Sequence, residues 1–449
     1  MEKTHQRQFI KTLISIALPL ALQNLIATSL NMADTVMVSS LGEASIAAVG
    51  LVNQYIFFYF VIVFGICTGA AIFLAQYYGK RDLGMLHRFF KVMQSVVLLF
   101  GSLFTIFTLG FQDQILAMLT PDLLVQNHAR EYLQIIQYTL IITGLSFGLG
   151  TALRSAGNTK APMQVSLVAF ITNVIINYIL IFGKLGFAPM GIQGAAIGTL
   201  AARMVELLLL FIAFRDQGSV YSLSMLKSHP TTLKDYQRYF SIATPVILAE
   251  TFWALGQLLF TILYARISTE ATAAIQLTNT IQNVFFILAH SLSDAAAVLT
   301  GQTIGRGEYE RTFTNSKLFL KFQLIIGLIS SLVLILFPRA LMLIYSGMDQ
   351  SVIDLSVHLL IIRGIFITFR FFNGLLIVGL FRGGGDSKYA LFYEMLTMWV
   401  YAVPICYLGV MTFHWSLETV FFLVSIEEVI KAICILPRYR SKKWITDIT

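Results

Sequence analysis

The amino-acid sequence predicts an all-α membrane protein with twelve transmembrane helices. These form two six-helix bundles, related by a pseudo-two-fold axis along the membrane normal. Composition, the distribution of basic residues and an internal repeat support this prediction. Of the 449 residues, 57% are hydrophobic and only 12% are charged, about half the charged fraction of a soluble domain. With a mean hydropathy of +0.76, most of the chain must be solvated by lipid or by itself.

Twelve apolar runs are long enough to cross a bilayer, which takes about 20 residues per helix. They lie near residues 13–38, 45–78, 92–111, 131–153, 162–183, 191–214, 239–265, 272–304, 318–346, 356–380, 390–411 and 416–436. The first run has no small-residue cleavage site after it, so we expect a retained span rather than a signal peptide. Pro19 and Pro245 lie inside two of the runs, where each removes a backbone donor and favours a kink.

The basic residues between these runs predict the orientation. If both termini are cytoplasmic, 24 of the 31 Lys and Arg residues fall in cytoplasmic segments and four on the opposite face. Such a bias is typical of a twelve-span protein with both ends inside the cell. We therefore expect a multi-pass protein of the cell membrane. Three arginines remain inside spans, namely Arg203, Arg363 and Arg370.

The two halves of the sequence resemble each other at a shift near 226 residues. Leu18-Pro19 corresponds to Thr244-Pro245, and the segment Arg154–Lys160 resembles Arg382–Lys388 at a shift of 228. Each half has an even number of spans, so the halves share one orientation. We predict an N-terminal lobe over residues 1–215, a cytoplasmic linker over 216–238 and a C-terminal lobe over 239–449. Two such bundles suit alternating access, although an old duplication without transport gives the same pattern.

No phosphate-binding loop of the form G-x-x-x-x-G-K-[ST] occurs, and no hydrophilic stretch is long enough for an ATPase domain. Transport would therefore draw on an ion gradient. The three cysteines lie in apolar runs without metal-site spacing. The sequence predicts no cofactor and no nucleic-acid partner. We expect membrane lipids, small substrates and H+ or Na+ as partners, and a monomer suffices.

Four polar residues of the first half are predicted at one depth near the outer ends of their spans. They are Asp34, Asn173, Asn177 and Thr199. Asn173 and Asn177 are spaced i,i+4 and therefore share a helix face. One carboxylate, two amides and a hydroxyl can coordinate a hard cation, or form a network that changes when Asp34 takes a proton. Interfacial snorkelling by Asp34 and helix–helix hydrogen bonds of the asparagines are the structural alternative.

In the second half, Glu250 and Arg370 are predicted at comparable depth, so we expect them to pair, either as a second switch or as a static ion pair. Arg203 and Glu206, spaced i,i+3, predict a structural pair. His290 and Asp294, spaced i,i+4, are the most enzyme-like or metal-like pair, but no third ligand accompanies them. The acids Glu394, Glu427 and Glu428 are expected near span ends, without a function.

Taken together, these features resemble the multidrug and toxic compound extrusion (MATE) transporters over essentially the whole chain. The resemblance rests on the two six-span repeats, the Pro19…Asp34 spacing, the Asn173/Asn177 pair, the segment Gly194–Thr199 and the two repeat-related loops. Among subgroups the chain looks more like the bacterial DinF-type members. In these, positions matching Asp34, Asn173, Asn177 and Thr199 form the cation or proton site, and bending at the proline matching Pro19 accompanies protonation.

This resemblance implies a secondary active antiporter that exports amphiphilic, often cationic, organic compounds in exchange for H+ or Na+. Some DinF-like members have a second acid where Asn177 stands. NorM-like members have an acid in the tenth span, where this chain offers only Arg370 and Asn373. Both departures favour protons. The alternatives are a flippase for lipid-linked saccharides from the same superfamily and an intramembrane enzyme using His290/Asp294; a receptor or scaffold fits the duplicated halves poorly.

Overall fold

The computed structural model describes residues 2–216, 220, 230–345 and 347–449, with side chains from Gln6 onwards, and within these ranges it is helical without β-strands. The helices are α1 (Glu2–Ser39), α2 (Glu43–Lys80), α3 (Leu83–Gly110), α4 (Gln112–Leu119), α5 (Leu123–Ile136), α6 (Thr139–Ser155), α7 (Lys160–Phe182), α8 (Gly191–Asp216), α9 (Leu233–Ala265), α10 (Thr269–Gly305), α11 (Tyr309–Leu336), α12 (Pro338–Met342), α13 (Gln350–Arg382), α14 (Ser387–Thr412), α15 (Leu417–Ser425) and α16 (Glu427–Arg440). Two of them contain π-helical segments, at Leu375–Arg382 in α13 and at Leu396–Ala402 and Leu408–Thr412 in α14.

Ten described helices are long and apolar enough to cross a membrane, and the bent pair α5–α6, with an angle of 49°, makes an eleventh span. The predicted fourth span, 131–153, is therefore two helices that meet at a sharp bend. The predicted twelfth span, 416–436, falls on α15 and α16, which are separated at Ile426. Neither helix alone is long enough to cross a membrane, because α15 has 9 residues and α16 has 14.

Side-chain capping explains where several helices begin. The Asp82 carboxylate accepts a hydrogen bond from the Met85 N–H at 3.0 Å, and Asp122 accepts from Leu124 at 2.8 Å. The Ser268 hydroxyl accepts from the Ala271 N–H at 3.0 Å. Each cap satisfies a backbone donor that the first turn of a helix leaves unpaired.

The internal repeat is visible in the helix boundaries themselves. Four helices of the first half begin 226 residues before a helix of the second half: Glu43 and Thr269, Leu83 and Tyr309, Gln112 and Pro338, Gly191 and Leu417. α3 and α11 also have the same length of 28 residues. A duplicated sequence pattern has therefore kept its helix register over both halves.

The chain divides into two compact units. The N-unit is Leu18–Ile247, and the C-unit is Met1–Ala17 together with Leu248–Thr449. Most of the predicted linker lies outside the described residues, but α9 begins at Leu233, six residues before the predicted start of the C-terminal lobe. The division into lobes at 215 and 239 stays a prediction.

Candidate functional site

Helices α1, α7 and α8 of the N-unit place the four predicted polar residues side by side. Asp34 lies five residues before the end of α1, and Thr199 lies eight residues after the start of α8. Asn173 and Asn177 project from one face of α7, as their spacing predicts. Both asparagines are fully buried, whereas Asp34 and Thr199 are half-buried. The structure thus brings together the whole predicted set.

A continuous chain of hydrogen bonds connects these side chains. The Asn177 Nδ2 donates to Asp34 Oδ1 at 2.6 Å and to Asn173 Oδ1 at 3.2 Å. The Asn173 Nδ2 donates in turn to the Thr199 hydroxyl at 3.3 Å, and that hydroxyl donates to the Ala195 carbonyl at 3.1 Å. These hydrogen bonds link three helices through side chains alone, and they begin at the carboxylate of Asp34.

Gly198 is what lets α8 come close enough to α7 for this network. A Cβ at position 198 would collide with the Asn177 Oδ1. At Gly194, one turn earlier, a Cβ would come within 2.8 Å of the Leu180 carbonyl carbon. Small residues allow such close backbone approach between membrane helices. The predicted glycine-rich segment Gly194–Thr199 is therefore a close-packing surface.

Two further side chains belong to the site, and the sequence analysis did not assign them to it. Tyr132 of α5 is buried; its hydroxyl lies beside Thr199 and within electrostatic reach of Asp34. Arg203 of α8 lies within electrostatic reach of Asp34. The Arg203 guanidinium also donates to the Glu206 carboxylate at 2.7 Å, which confirms the predicted i,i+3 pair. Nothing in the sequence near Tyr132 signals its position, because α5 is far from the other helices along the chain.

The site has a simple chemistry. Among the described residues, Asp34 is the only carboxylate with a direct hydrogen bond to the asparagine network. The Asn177 Oδ1 is buried and accepts no hydrogen bond from the described residues. Asn177 can therefore serve both protonation states of Asp34. Its N–H donates to the carboxylate, and after a half-turn of the amide its oxygen can accept from the carboxylic acid.

In the C-unit, the predicted pair between Glu250 and Arg370 is wrong. Glu250 forms an ion pair with Arg382 at the end of the π-helical segment of α13, and Arg382 also lies 3.8 Å from Glu394. Arg370 instead lies 3.8 Å from Glu428, which also accepts from the Asn373 side chain at 2.8 Å. Depth along the helices placed Glu250 and Arg370 together, but it does not report which helix face each side chain occupies.

The sequence analysis expected Glu394, Glu427 and Glu428 near span ends without a function. In the structure, these three acids are the partners of basic residues of the C-unit. Glu427 pairs with Lys431 at 2.8 Å and accepts a hydrogen bond from Thr397 at 3.0 Å. The predicted contact between His290 Nδ1 and Asp294 Oδ1 measures 3.5 Å. No group of three or more His, Cys, Asp or Glu side chains able to hold a metal ion occurs among the described residues.

Comparison with known proteins gives these sites their context. The family model MatE matches residues 19–179 and 245–408, which is well over half of the chain. The chain belongs to the MATE family. The two matched segments begin 226 residues apart, at Pro19 and Pro245, in agreement with the repeat. As a MATE transporter the chain is a multi-pass membrane protein and a transporter rather than an enzyme.

Relatives of similar length are found in several bacteria. The chain is 24% identical to the uncharacterized transporter YisQ of Bacillus subtilis, covering 97% of this chain and 95% of that protein. It is 25% identical to the probable multidrug resistance protein NorM of Thermotoga maritima, covering 97% and 93%.

Solved structures share the fold. The Vibrio cholerae MATE transporter VcmN in its bent form matches with a TM-score of 0.88 at 18% identity, over 98% of both chains. A MOP superfamily transporter from Pyrococcus furiosus matches with a TM-score of 0.87 at 20% identity, over 96% of this chain and 95% of that one. The predicted fold, two bundles of six helices, is thereby confirmed.

Proposed function

We propose that this MATE transporter is a secondary active multidrug antiporter of the DinF-like subgroup. It would export amphiphilic, often cationic, organic compounds by alternating access, in exchange for protons. The observation that carries the proposal is the hydrogen-bonded chain from Asp34 to Thr199, because it ties one carboxylate to two other membrane-spanning helices. The relatives named multidrug resistance proteins support the substrate class.

Protonation of Asp34 is a local event that can move helices. The carboxylate accepts a short hydrogen bond from Asn177, and a charged acceptor makes such a bond roughly twice as strong as a neutral one. A proton on Asp34 weakens that bond and favours the half-turn of the Asn177 amide. The contact between α1 and α7 therefore depends on the charge of a single group, which a coupling ion can change.

The same geometry favours a proton over a sodium ion. A hard cation needs several oxygen ligands with free lone pairs. Here the Asn173 Oδ1 and one Asp34 oxygen already accept hydrogen bonds from Asn177, and the Thr199 oxygen accepts one from Asn173. Sodium would have to share the remaining lone pairs of these oxygens, since among the amide and hydroxyl oxygens of the described site only the Asn177 Oδ1 accepts no hydrogen bond, whereas a proton needs only one carboxylate oxygen.

Pro19 and Glu250 are assigned supporting roles. Pro19 lies fifteen residues before Asp34 in the same helix α1 and deprives the helix of one backbone hydrogen bond, so it is the point at which α1 can bend. Glu250, with Arg382 rather than Arg370 as its partner, forms a second buried charge pair that a proton can break. We propose a monomer in the cell membrane with both termini in the cytoplasm, on the strength of the distribution of basic residues.

The decisive experiment is export of a fluorescent cationic dye from proteoliposomes. Two gradients are imposed separately: a pH gradient without sodium, and a sodium gradient at constant pH. We expect transport under the pH gradient alone, and loss of at least nine-tenths of the rate in Asp34→Asn (about a tenfold effect) because the variant cannot take up a proton. Asp113→Asn is the control, since Asp113 is exposed and pairs only with Arg130 among the described residues.

Transport that requires sodium would contradict proton coupling and make Asn173, Asn177 and Thr199 ion ligands. Full activity of a folded Asp34→Asn variant would remove the N-unit site from the mechanism altogether. Absence of transport under both gradients would favour the lipid-linked saccharide flippase.

A further inference from the structure

The glycine-rich loop between α13 and α14, residues 383–386, is enclosed by other parts of the C-unit. On one side, a Cβ at Gly383 would come within 2.7 Å of the Ala297 carbonyl oxygen of α10. On the other side, a Cβ at Gly384 would collide with the Trp444 carbonyl oxygen. Glycine permits such close approach because it has no side chain. The loop is therefore held between α10 and the segment that follows α16.

The corresponding loop of the first half lacks these glycines. At the repeat shift of 228 residues, Ser155 corresponds to Gly383 and Ala156 to Gly384. Ala156 is half-buried, whereas Gly384 is fully covered. The second half thus has glycine where the first half has a side chain, and in the C-unit Trp444 lies against the position that this side chain would occupy.

The covering element is the segment after α16, residues 441–449, which we call the cap segment. Its Trp444 is fully buried and stacks on Tyr439, with ring centroids 6.1 Å apart. The Trp444 Nε1 donates to the Tyr439 carbonyl at 3.1 Å. The Thr446 N–H donates to the Gly384 carbonyl at 2.9 Å. A large buried ring and a backbone hydrogen bond therefore attach the cap segment to the loop.

Ion pairs surround this attachment but contribute less to it. The Lys442 Nζ lies 3.0 Å from the Glu310 carboxylate, and both side chains are exposed. The Arg438 Nε lies 2.7 Å from the Asp386 carboxylate of the loop. An ion pair in water adds little stability. Trp444 and the Thr446 N–H are accordingly the contacts to change in an experiment.

The cap segment covers the residues on both sides of Arg382. Trp444 packs near the Phe381 ring, with centroids 6.4 Å apart, and it contacts the loop two residues after Arg382. The Arg382 side chain is only 6% exposed, although it is the last residue of its span, and it pairs with Glu250. A long basic side chain at a helix end ordinarily extends into water. The Glu250–Arg382 pair is instead closed off at this end.

We propose that the cap segment is a seal on the cytoplasmic side of the C-unit, which keeps water and protons of that side from the Glu250–Arg382 pair. Trp444 fills the opening, and the hydrogen bond from Thr446 to Gly384 fastens it. In alternating access a coupling group faces one side of the membrane at a time, since access from both sides lets protons leak without substrate. The proposal rests on the proposed function in treating the Glu250–Arg382 pair as a place where a proton can bind.

Hydrogen–deuterium exchange of the full-length protein in nanodiscs measures the cover without any gradient or substrate. Trp444→Ala and Gly384→Ala should each accelerate exchange of amides 383–387 about tenfold, because loss of one buried contact raises the population of the open state by about that factor. Trp444→Phe keeps a ring in the same place and should exchange nearly as slowly as the wild type. If a variant fails to fold, Thr446→Pro removes only the donor to Gly384 and should give the same acceleration.

Proton leak into proteoliposomes without substrate tests the seal itself. A pH gradient is imposed, and pyranine inside the liposomes reports its collapse. The gradient should collapse several-fold faster with Trp444→Ala or Gly384→Ala than with the wild type, and at the wild-type rate with Trp444→Phe. Adding Glu250→Gln to Trp444→Ala should abolish the extra leak, because that leak passes through the Glu250–Arg382 pair.

Two controls separate the seal from stability. Trp415→Ala removes a partly buried ring at the opposite end of α14, where it stacks on Phe413 with centroids 5.1 Å apart. This variant should lower the melting temperature without a leak. Gly374→Ala lies in α13 at a position where a Cβ meets no described atom within 4 Å, so exchange and leak should both stay unchanged.

Faster exchange without a faster leak in folded Trp444→Ala and Gly384→Ala would reduce the cap segment to a structural cover. Unchanged exchange in both would show that it does not close the loop. A leak that persists after Glu250→Gln would place the proton route elsewhere. If the wild type exports no dye under a pH gradient, the proposed function fails, whereas a Trp444→Ala leak that Glu250→Gln abolishes still supports the seal.

Discussion

At the scale of single residues, close packing matters to the polar site as much as its hydrogen bonds do. The Asn177 amide donates to both Asp34 and Asn173, and it does so only while its oxygen rests against Gly198. A glycine in a helix costs stability because of its conformational freedom. Here that cost is offset by the contact that it permits.

Gly198→Ala should therefore destabilise the protein, by about 1–3 kcal/mol as is typical of overpacking, and should reduce transport. Thermal unfolding in detergent measures the first effect and dye export the second. Gly50→Ala is the matched control, since a Cβ there meets no atom within 4 Å. That control should gain about 0.5–1 kcal/mol from its better helix propensity. A Gly198→Ala variant as stable and active as Gly50→Ala would show that α7 and α8 can separate freely.

The identity of the Glu250 partner can be tested by double-mutant cycles. Glu250→Gln and Arg382→Gln should be non-additive, with a coupling free energy of about 0.5–3 kcal/mol for groups in contact. Glu250→Gln and Arg370→Gln should be additive within about 0.5 kcal/mol. The free energy of unfolding of the single and double variants gives both numbers. Coupling to Arg370 instead would restore the pair that the sequence predicted.

At the scale of helices, Pro19 sets the mechanical character of α1. Pro19→Ala restores a backbone donor in the helix interior, where proline costs about 3 kcal/mol relative to alanine. We expect a variant at least as stable as the wild type whose dye export is several-fold slower, since a straighter α1 resists bending. Pro162→Ala should leave the rate unchanged, because Pro162 lies in the first turn of α7, where no intrahelical bond is lost. Wild-type export by Pro19→Ala would remove the proposed hinge.

The apolar runs of the sequence predicted the positions of the helices well, but they did not predict where a helix is interrupted. The bend between α5 and α6 lies within one apolar run, at Gln137 and Tyr138, without a proline or glycine to mark it. The residues Asp34, Asn173, Asn177 and Thr199 were predictable because depth and i,i+4 spacing are properties of single helices. The position of Tyr132 at the site and the pairing of Glu250 with Arg382 were not predictable, because both depend on how different helices pack together.

At the scale of the whole molecule, the asymmetry of basic residues predicts that both termini face the cytoplasm. Reporters that are active only in the cytoplasm, fused separately to each terminus, should both be active. A reporter inserted next to Lys184, in the connection between α7 and α8, should be inactive. Opposite results at the two termini would mean an odd number of spans and would contradict the twelve-span topology.

The division of the chain into units does not follow the order of the halves. The start of α1 belongs to the C-unit, where Phe9 packs edge-on against Phe319, and the start of α9 belongs to the N-unit, where the Tyr239 hydroxyl donates to the Ile66 carbonyl. Each half of the sequence thus lends a segment to the other. A six-helix ancestor with this exchange would have been a domain-swapped dimer of identical chains. Fusion of two such chains would make the exchange permanent, and neither half cut from the present chain carries all the segments of its own unit.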